Sequence, residues 1–299
     1  MKSKRFYPYL AIIIGVISVS TSAIFVKIAG DAPAAIIANY RLLFAAVIIL
    51  PFVLVNKQEL RQLQVREWTM TILAGISLAI HFIVWFESLN YTSVASSVVL
   101  VTLQPIFAFI GTYLFFKERF SSGTIISMLI TIFGSIIIAW GDFQLAGKAL
   151  YGDILALIGA LFITIYFLLG QRTRNKISMT AYTCIAYFSG SIVLVVYNVI
   201  AGNSFVAYSG DQWLIFVLIA IIPTILGLNL LNWALKWVSA SVISMGIVFE
   251  PIGAAILAYF ILGEQVSSSQ WLGGMIIIFG LLLFIASTRR KRRMKVTIK

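Results

Sequence analysis

The sequence predicts an all-α integral membrane protein with ten transmembrane helices in two inverted five-helix repeats (5+5). Composition is the first reason, since 61% of the 299 residues are hydrophobic and 11% are charged, more apolar than a soluble fold can cover. The second is a series of apolar runs of about 20 residues, the length that crosses a bilayer. The third is an internal duplication. Runs of this length without strict alternation indicate helices, because lipid offers the backbone no hydrogen-bond partners.

The ten apolar runs are separated by short polar breaks. The first run follows Lys2, Lys4 and Arg5 but lacks a clear small-residue cleavage site, so it is interpreted as a retained span. In order, the breaks contain GDAP, NKQELRQLQVRE, NY, KERFS, GDFQLAGKA, QRTRNKI, AGNSFVAYSGD, KWV and LGEQVSS. The predicted spans are residues 8–28, 34–55, 69–89, 92–116, 122–140, 150–170, 178–200, 212–235, 239–261 and 269–286.

The basic residues orient the predicted bundle. With the amino terminus inside, 19 of the 22 Lys and Arg residues fall on the cytoplasmic side, whereas Lys148 lies in an outside loop. Both termini are therefore predicted to be cytoplasmic, in a plasma membrane or a bacterial inner membrane. The terminal run RRKRRMK is interpreted as an anchor on anionic lipid headgroups and not as a nucleic-acid site.

The sequence offers little for catalysis or metal binding. Cys184 and His81 are the single cysteine and the single histidine, which argues against a disulfide framework and the usual zinc clusters. The chain has no G-x-x-x-x-G-K-[ST] motif, so direct use of ATP is not supported. We therefore expect no catalytic residue, no metal and no cofactor, and we expect that the chain is not an enzyme.

The duplication appears when the chain is shifted by 146 residues. Residues 93–134 then lie on residues 239–280, with 13 of 42 positions identical. The informative matches are Ser93 with Ser239, Pro105 with Pro251, Tyr113 with Tyr259, Glu118 with Glu264, and Phe133-Gly134 with Phe279-Gly280. Five spans per half give the second copy the opposite sense across the membrane. The predicted units are residues 1–145, residues 146–288 and a basic tail at residues 289–299.

Each half carries a proline near the middle of its fourth span. Pro105 follows Gln104, and Pro251 follows Glu250. Proline removes a backbone donor and frees a carbonyl one turn earlier, so two helix breaks at matched depth mark a candidate central site. Glu250 is the candidate for proton coupling, because a carboxyl group near the midplane can take up and release a proton. The alternative is a permanent hydrogen bond or ion pair with Arg41 or His81.

Several segments resemble the EamA type of the drug/metabolite transporter superfamily. They are ANYRLLFAAVIILP in span two, SLNYTSVASSVVLVTLQPIFAFIGTYLFFKERF across spans three to five, and VSASVISMGIVFEPIGAAILAYFILGEQVS followed by FG in the second half. The resemblance covers most of the chain. It implies a 5+5 inverted-repeat carrier for metabolites, often an exporter of amino acids or related small molecules.

Arg41 lies about 12 Å into span two from its outer end, at 1.5 Å per helical residue. Its guanidinium stays charged, and its planar fork suits a carboxylate or a phosphate. Arg41 therefore either binds an anionic group of the substrate or pairs with a buried acid. The resemblance includes an arginine here across many substrates, which favours an architectural or gating pair.

Other polar and aromatic residues complete the candidate site. His81 shares a helical face with Trp85, and span eight offers Asn229, Asn232 and Trp233. Each of these residues could instead have a structural role. A lone histidine can pack between helices with one hydrogen bond, and polar residues also mediate helix packing. The candidate substrate-binding or coupling residues are Arg41, His81, Trp85, Gln104, Asn229, Asn232, Trp233 and Glu250, with helix breaks at Pro105 and Pro251.

The predicted function is secondary active transport of a small metabolite such as an amino acid. Alternating access is the expected mechanism, with export as the direction and proton exchange as the coupling. The alternatives are a facilitative channel and a membrane-embedded enzyme acting on lipid, for which one His and one Cys supply no convincing catalytic set. The expected partners are a small-molecule substrate and the lipid bilayer, with no nucleic acid, and a homodimer stays open.

Overall fold

The computed structural model describes residues 7–92, 94–138, 147–263, 265 and 267–297. Within these ranges the chain forms helices and no strands, which confirms the predicted all-α class. The apolar helices are α1 (Tyr7–Ile28), α2 (Ala34–Val55), α3 (Val65–Ser88), α4 (Ser96–Phe116), α5 (Ser122–Ile138), α6 (Gly147–Thr173), α7 (Met179–Ile200), α8 (Gly210–Ala234), α9 (Ala240–Leu262) and α10 (Ser268–Thr288).

Ten spans were expected, and nine of the described helices are long and apolar enough to cross a membrane. The exception is α5, which has 17 described residues. A short helix, Lys57–Gln62, lies between α2 and α3, and the helical backbone of α10 continues to Thr297. The sequence features Lys2, Lys4, Arg5, Ser93 and Glu264 lie outside the described residues.

Some helices begin earlier than the apolar runs predict, because their first turns are polar. The predicted third span begins at residue 69, whereas α3 begins at Val65. There the Gln64 N–H donates to Glu67 Oε2 at 3.0 Å and so gains a partner at the helix start. In α8, Ser209 and Gln212 exchange hydrogen bonds of 2.9 and 3.3 Å in the same way. Hydropathy alone does not detect these capping contacts.

Two helices are interrupted immediately before the paired prolines. α4 turns at Thr102–Leu103 and resumes at Gln104, and α9 turns at Val248–Phe249 and resumes at Glu250. Each proline therefore falls in the first turn of the resumed segment, where its missing N–H costs no helical hydrogen bond. The two interruptions lie at equivalent positions of the two halves, since 146 residues separate Thr102 from Val248.

A third irregularity lies in α8, which widens to a π-helix over Ala220–Leu228. Pro223 stands inside this segment and has no N–H to donate. The Thr224 hydroxyl donates to the carbonyl of Ile219 at 2.8 Å, which gives that oxygen a side-chain partner. Such wide turns are typical of functional sites, because they change the register of the residues beyond them.

The helices pack in pairs. α3 lies along α6 and α1 along α8, while α2 packs against α7 and α5 against α10. Glycines bring α5 and α10 into close contact: a Cβ on Gly134 would lie 2.8 Å from Gly273 O, and a Cβ on Gly280 would lie 3.1 Å from Ser127 O. The two contacts are equivalent under the 146-residue shift, which relates Gly134 to Gly280 and Ser127 to Gly273.

We expect Gly134→Ala to destabilise the protein by about 1–3 kcal/mol, the usual cost of overpacking. The new methyl would meet backbone atoms, Gly273 O at 2.8 Å and Ile277 N at 2.9 Å, which no side-chain rotation can move. The thermal unfolding midpoint in detergent measures the effect. Gly210→Ala is the matched control, because a Cβ there meets no atom within 4 Å. Equal midpoints for the two variants would contradict this tight helix contact.

Candidate functional site

A small cavity lies among α1, α2, α3, α4, α6, α8 and α9. Its volume is about 40 Å³, room for a few water molecules. The described residues that line it are Val19, Ser22, Arg41, His81, Phe82, Trp85, Val101, Gln104, Ile163, Phe167, Leu228, Leu231, Ile247 and Glu250. Five of the eight predicted site residues therefore converge on one cavity: Arg41, His81, Trp85, Gln104 and Glu250.

The lining follows the repeat. Four pairs of lining residues are separated by 146 positions: Phe82 and Leu228, Trp85 and Leu231, Val101 and Ile247, and Gln104 and Glu250. Equivalent positions of α3 and α8, and of α4 and α9, thus line the same cavity. The chemistry differs between the halves, because the first contributes aromatic rings and an amide where the second contributes leucines and a carboxyl group.

Arg41 is held by three contacts inside the bundle, where its side chain is 2% exposed. Nε donates to Thr224 Oγ1 at 2.8 Å, and Nη1 donates to Ser22 Oγ at 2.5 Å. The guanidinium carbon lies 4.2 Å from the centroid of the Phe82 ring, a cation–π contact. These contacts fix the orientation of the guanidinium and leave further N–H groups for a partner.

Glu250 begins the second segment of α9 and is also buried. Among the described residues its carboxyl group has no hydrogen-bond or ion-pair partner, although it interacts electrostatically with Arg41 across the cavity. Its repeat mate, Gln104, leaves Oε1 buried without a partner in the described part of the chain. An amide oxygen and a carboxyl group thus face one small cavity. Burying these two polar groups costs free energy unless water or a ligand forms hydrogen bonds with them.

His81 and Trp85 form an aromatic wall of the cavity, with ring centroids 5.4 Å apart in a stacked arrangement. His81 Nδ1 lies 2.9 Å from Gly159 O, and because a carbonyl only accepts, Nδ1 carries the proton. Nε2 is therefore the nitrogen that can accept a proton or a hydrogen bond. Trp85 Nε1 is a buried donor without a partner among the residues that the structure describes.

The remaining three predicted residues lie elsewhere. The Tyr187 hydroxyl donates to Asn229 Oδ1 at 2.7 Å, and Asn232 Nδ2 donates to the Tyr166 hydroxyl at 2.5 Å. Both asparagines therefore belong to a buried tyrosine network between α6, α7 and α8. Trp233 packs against Trp237, with centroids 4.1 Å apart. None of the three lines the described cavity.

Sequence reasoning missed Phe82 and Thr224 at the site and Asp153 outside the cavity. Phe82 covers the guanidinium of Arg41, and Ser22 and Thr224 accept its hydrogen bonds. The sequence contained a signal for Phe82 and for Thr224. Phe82 directly follows His81, and Thr224 directly follows the proline of span eight. Asp153 is a buried carboxyl, and its Oδ1 accepts from Thr92 at 2.8 Å and from Ser96 at 3.0 Å.

Polar contacts join helices of the two halves at both ends of the bundle. At one end, Glu118 accepts hydrogen bonds from Ser239 at 3.0 Å and from Ser241 at 3.2 Å. At the other end, Gln212 Nε2 donates to Ala29 O at 3.0 Å and to Asp31 Oδ1 at 2.8 Å.

We expect Thr224→Val to destabilise the protein by about 1–3 kcal/mol, whereas Thr224→Ser stays near the wild type. Valine keeps the shape but removes the hydroxyl that accepts from Arg41 Nε and donates to Ile219 O, so two buried groups lose a partner. Serine retains the hydroxyl. Thermal unfolding in detergent measures the difference, and a valine variant as stable as the serine variant would contradict the assigned role.

A model of the EamA-like transporter family matches residues 6–140 and, a second time, residues 150–286. The chain belongs to the EamA-like transporter family. It is thus a multi-pass membrane protein of a transporter family, in agreement with its apolar helices. The two matches correspond to one family unit in each half.

Relatives of this EamA-like chain are themselves named transporters. The uncharacterized transporter YdfC of Bacillus subtilis is 24% identical over 87% of this chain and 85% of the relative. An uncharacterized transporter of Archaeoglobus fulgidus is 24% identical over 93% and 96%, respectively. The uncharacterized inner membrane transporter YedA of Escherichia coli K12 is 26% identical over 84% and 81%.

A solved crystal structure has the same fold as this EamA-like chain. It superposes with a TM-score of 0.78 over 94% of this chain and 98% of the other, at 16% sequence identity. At that identity the likeness concerns the fold alone.

Proposed function

We propose that this chain is a secondary active transporter of small metabolites that works by alternating access between two inverted five-helix repeats. The observation that carries the proposal is the cavity, whose lining contains four pairs of residues at the repeat spacing. A site built from equivalent positions of two halves can open to either face when the halves exchange conformations.

The packing of α5 against α10 supports the inverted arrangement. The Gly134 contact with Gly273 and the Gly280 contact with Ser127 are equivalent under the same shift. Two antiparallel copies produce such reciprocal contacts, because a two-fold axis between them exchanges the partners. In this mechanism the Glu118 contacts with Ser239 and Ser241 close one end of the bundle, and the Gln212 contacts with Ala29 and Asp31 close the other.

Proton coupling is assigned to Glu250. Its carboxyl group lies in the cavity without a hydrogen-bond partner among the described residues, so its charge depends on Arg41 and on whatever enters the site. A bound cationic group would favour the carboxylate, and release of that group would favour protonation. Uptake of a proton and release of substrate are thereby linked at one residue.

The substrate class that fits best is the amino acids and related zwitterions. Arg41 supplies a guanidinium for a carboxylate, Glu250 supplies a carboxylate for an ammonium group, and Phe82 and Trp85 supply apolar walls. The cavity of about 40 Å³ has to enlarge before such a molecule enters, as closed sites do when their gates open. Export is the proposed direction, across a cell membrane with both termini cytoplasmic.

Uptake into proteoliposomes tests the function. The purified chain is reconstituted, a pH gradient is imposed, and accumulation of pooled labelled amino acids is followed with and without a proton ionophore. Accumulation above the external concentration that collapses with the ionophore supports a proton-coupled carrier. Flux that only equilibrates the solute would favour a channel, turnover of lipid in detergent would favour an enzyme, and absence of flux would contradict the amino-acid assignment.

A further inference from the structure

A second polar pocket lies at the end of the bundle where α3 begins and α6 ends, away from the central cavity. Its volume is about 250 Å³, and its lining is Arg66, Glu67, Met70, Arg172, Thr173 and Lys176. Three of these six side chains are cationic and one is acidic, so the pocket has an excess of two positive charges. Transport by alternating access makes no use of it.

The single acid among the described residues of the pocket already has two partners. Glu67 Oε1 accepts from Lys176 Nζ at 2.7 Å, and Glu67 Oε2 accepts from the Gln64 N–H at 3.0 Å. The Glu67 side chain is buried in the pocket wall, with 6% of its surface exposed. The ion pair therefore holds the Lys176 ammonium group against that wall. The negative charge of Glu67 is therefore compensated from within the protein.

The two arginines lack such a partner. Within the described part of the chain, Arg66 and Arg172 form no hydrogen bond or ion pair, and both are exposed to the pocket mouth. One stands at the start of α3 and the other at the end of α6, two helices that pack side by side. Two guanidinium forks beside a lysine make a site for an anion with several oxygens.

We propose that this pocket binds a phosphate group. Phosphate fits the charge, because an excess of two positive charges matches a singly or doubly charged phosphate ester. Phosphate also fits the position of the pocket relative to the membrane. Arg66 and Arg172 stand at the ends of the apolar segments of α3 and α6, and lipid headgroups lie at that level. The phosphate comes either from an anionic phospholipid or from a soluble phosphate compound.

Thermal unfolding of the full chain in detergent tests the site, because a ligand that binds only the folded protein raises its unfolding midpoint. One arm titrates phosphatidylglycerol against phosphatidylcholine, and the other titrates inorganic phosphate against chloride at constant ionic strength. The test variant is Arg66→Gln with Arg172→Gln. The matched control is Lys57→Gln with Arg61→Gln, which removes the same charge from the neighbouring short helix outside the pocket.

We expect the apparent Kd of the stabilising ligand to rise at least about tenfold in the test variant, since each lost guanidinium removes charge-assisted hydrogen bonds. The control variant should bind like the wild type. Stabilisation by phosphatidylglycerol alone identifies lipid as the source, and stabilisation by inorganic phosphate identifies a soluble compound. The proposal would be overturned by an equal rise of the apparent Kd in the test and control variants. It would also be overturned if neither ligand stabilised the wild type.

Discussion

Replacing Glu250 by glutamine abolishes the pH dependence of net transport and reduces gradient-driven accumulation by about tenfold or more, if the proposed coupling is correct. The amide has nearly the shape of the carboxyl group but exchanges no proton under these conditions. The carboxyl group has no hydrogen-bond partner among the described residues, so the substitution breaks no described contact of that group. The folded protein should therefore survive the change, as size-exclusion chromatography can verify.

Asp153→Asn is the matched control for that experiment. Asp153 is also a buried carboxyl within a spanning helix, but it lies outside the cavity, and its Oδ1 accepts from Thr92 and Ser96. The asparagine carbonyl can keep both contacts. Transport by this variant should retain the wild-type pH profile. A Glu250→Gln protein that also retained the wild-type profile would remove Glu250 from the coupling mechanism.

Arg41→Lys is expected to weaken substrate binding at least about tenfold although it preserves the positive charge. The guanidinium reaches Thr224 on α8 and Ser22 on α1 at once while it lies over the Phe82 ring. Lysine has one nitrogen in place of Nε and Nη1, so its ammonium group cannot match the positions of both acceptors as the planar fork does, and its position in the cavity is no longer fixed. The concentration dependence of initial uptake rates gives the affinity.

Arg174→Lys controls for the general effect of changing a buried arginine. Arg174 is 4% exposed, and its Nε donates to the backbone carbonyl of Asn232 at 3.1 Å, outside the cavity. This variant should lower stability and leave the substrate affinity near the wild-type value. Normal affinity in Arg41→Lys would contradict bidentate recognition by the guanidinium and would leave Arg41 a structural role.

The sequence was sufficient for the all-α class and for the choice of five residues that line one cavity. Apolar length predicts the spans, and the paired prolines point to Gln104 and Glu250, which the structure brings to one cavity. Both signals are local, since a long apolar run and a missing N–H act within one helix. The boundaries were less accurate where a polar turn begins a helix, as at Gln64 and Glu67.

The sequence was not sufficient for the face that each helix presents to its neighbours. Asn229 and Asn232 were chosen for their polarity, but their side chains meet tyrosines of α7 and α6. Each asparagine follows a cavity-lining leucine, Leu228 or Leu231, by one residue, and one residue turns a helix by roughly 100°, so neither side chain lies on the cavity face. The 146-residue shift applied to Phe82 and Trp85 selects Leu228 and Leu231, which do line the cavity.

Thiol accessibility tests the central claim, that the cavity lies on a path open to each side of the membrane in turn. Val101→Cys and Ile247→Cys are repeat mates in the lining. Each is made in a Cys184→Ser background, because Cys184 is the single native cysteine. A membrane-impermeant maleimide is then applied to right-side-out and to inside-out vesicles. We expect both thiols to react in both vesicle types, and we expect their modification to block transport. Thiols that react from one face only, or only after unfolding, would contradict alternating access at this cavity.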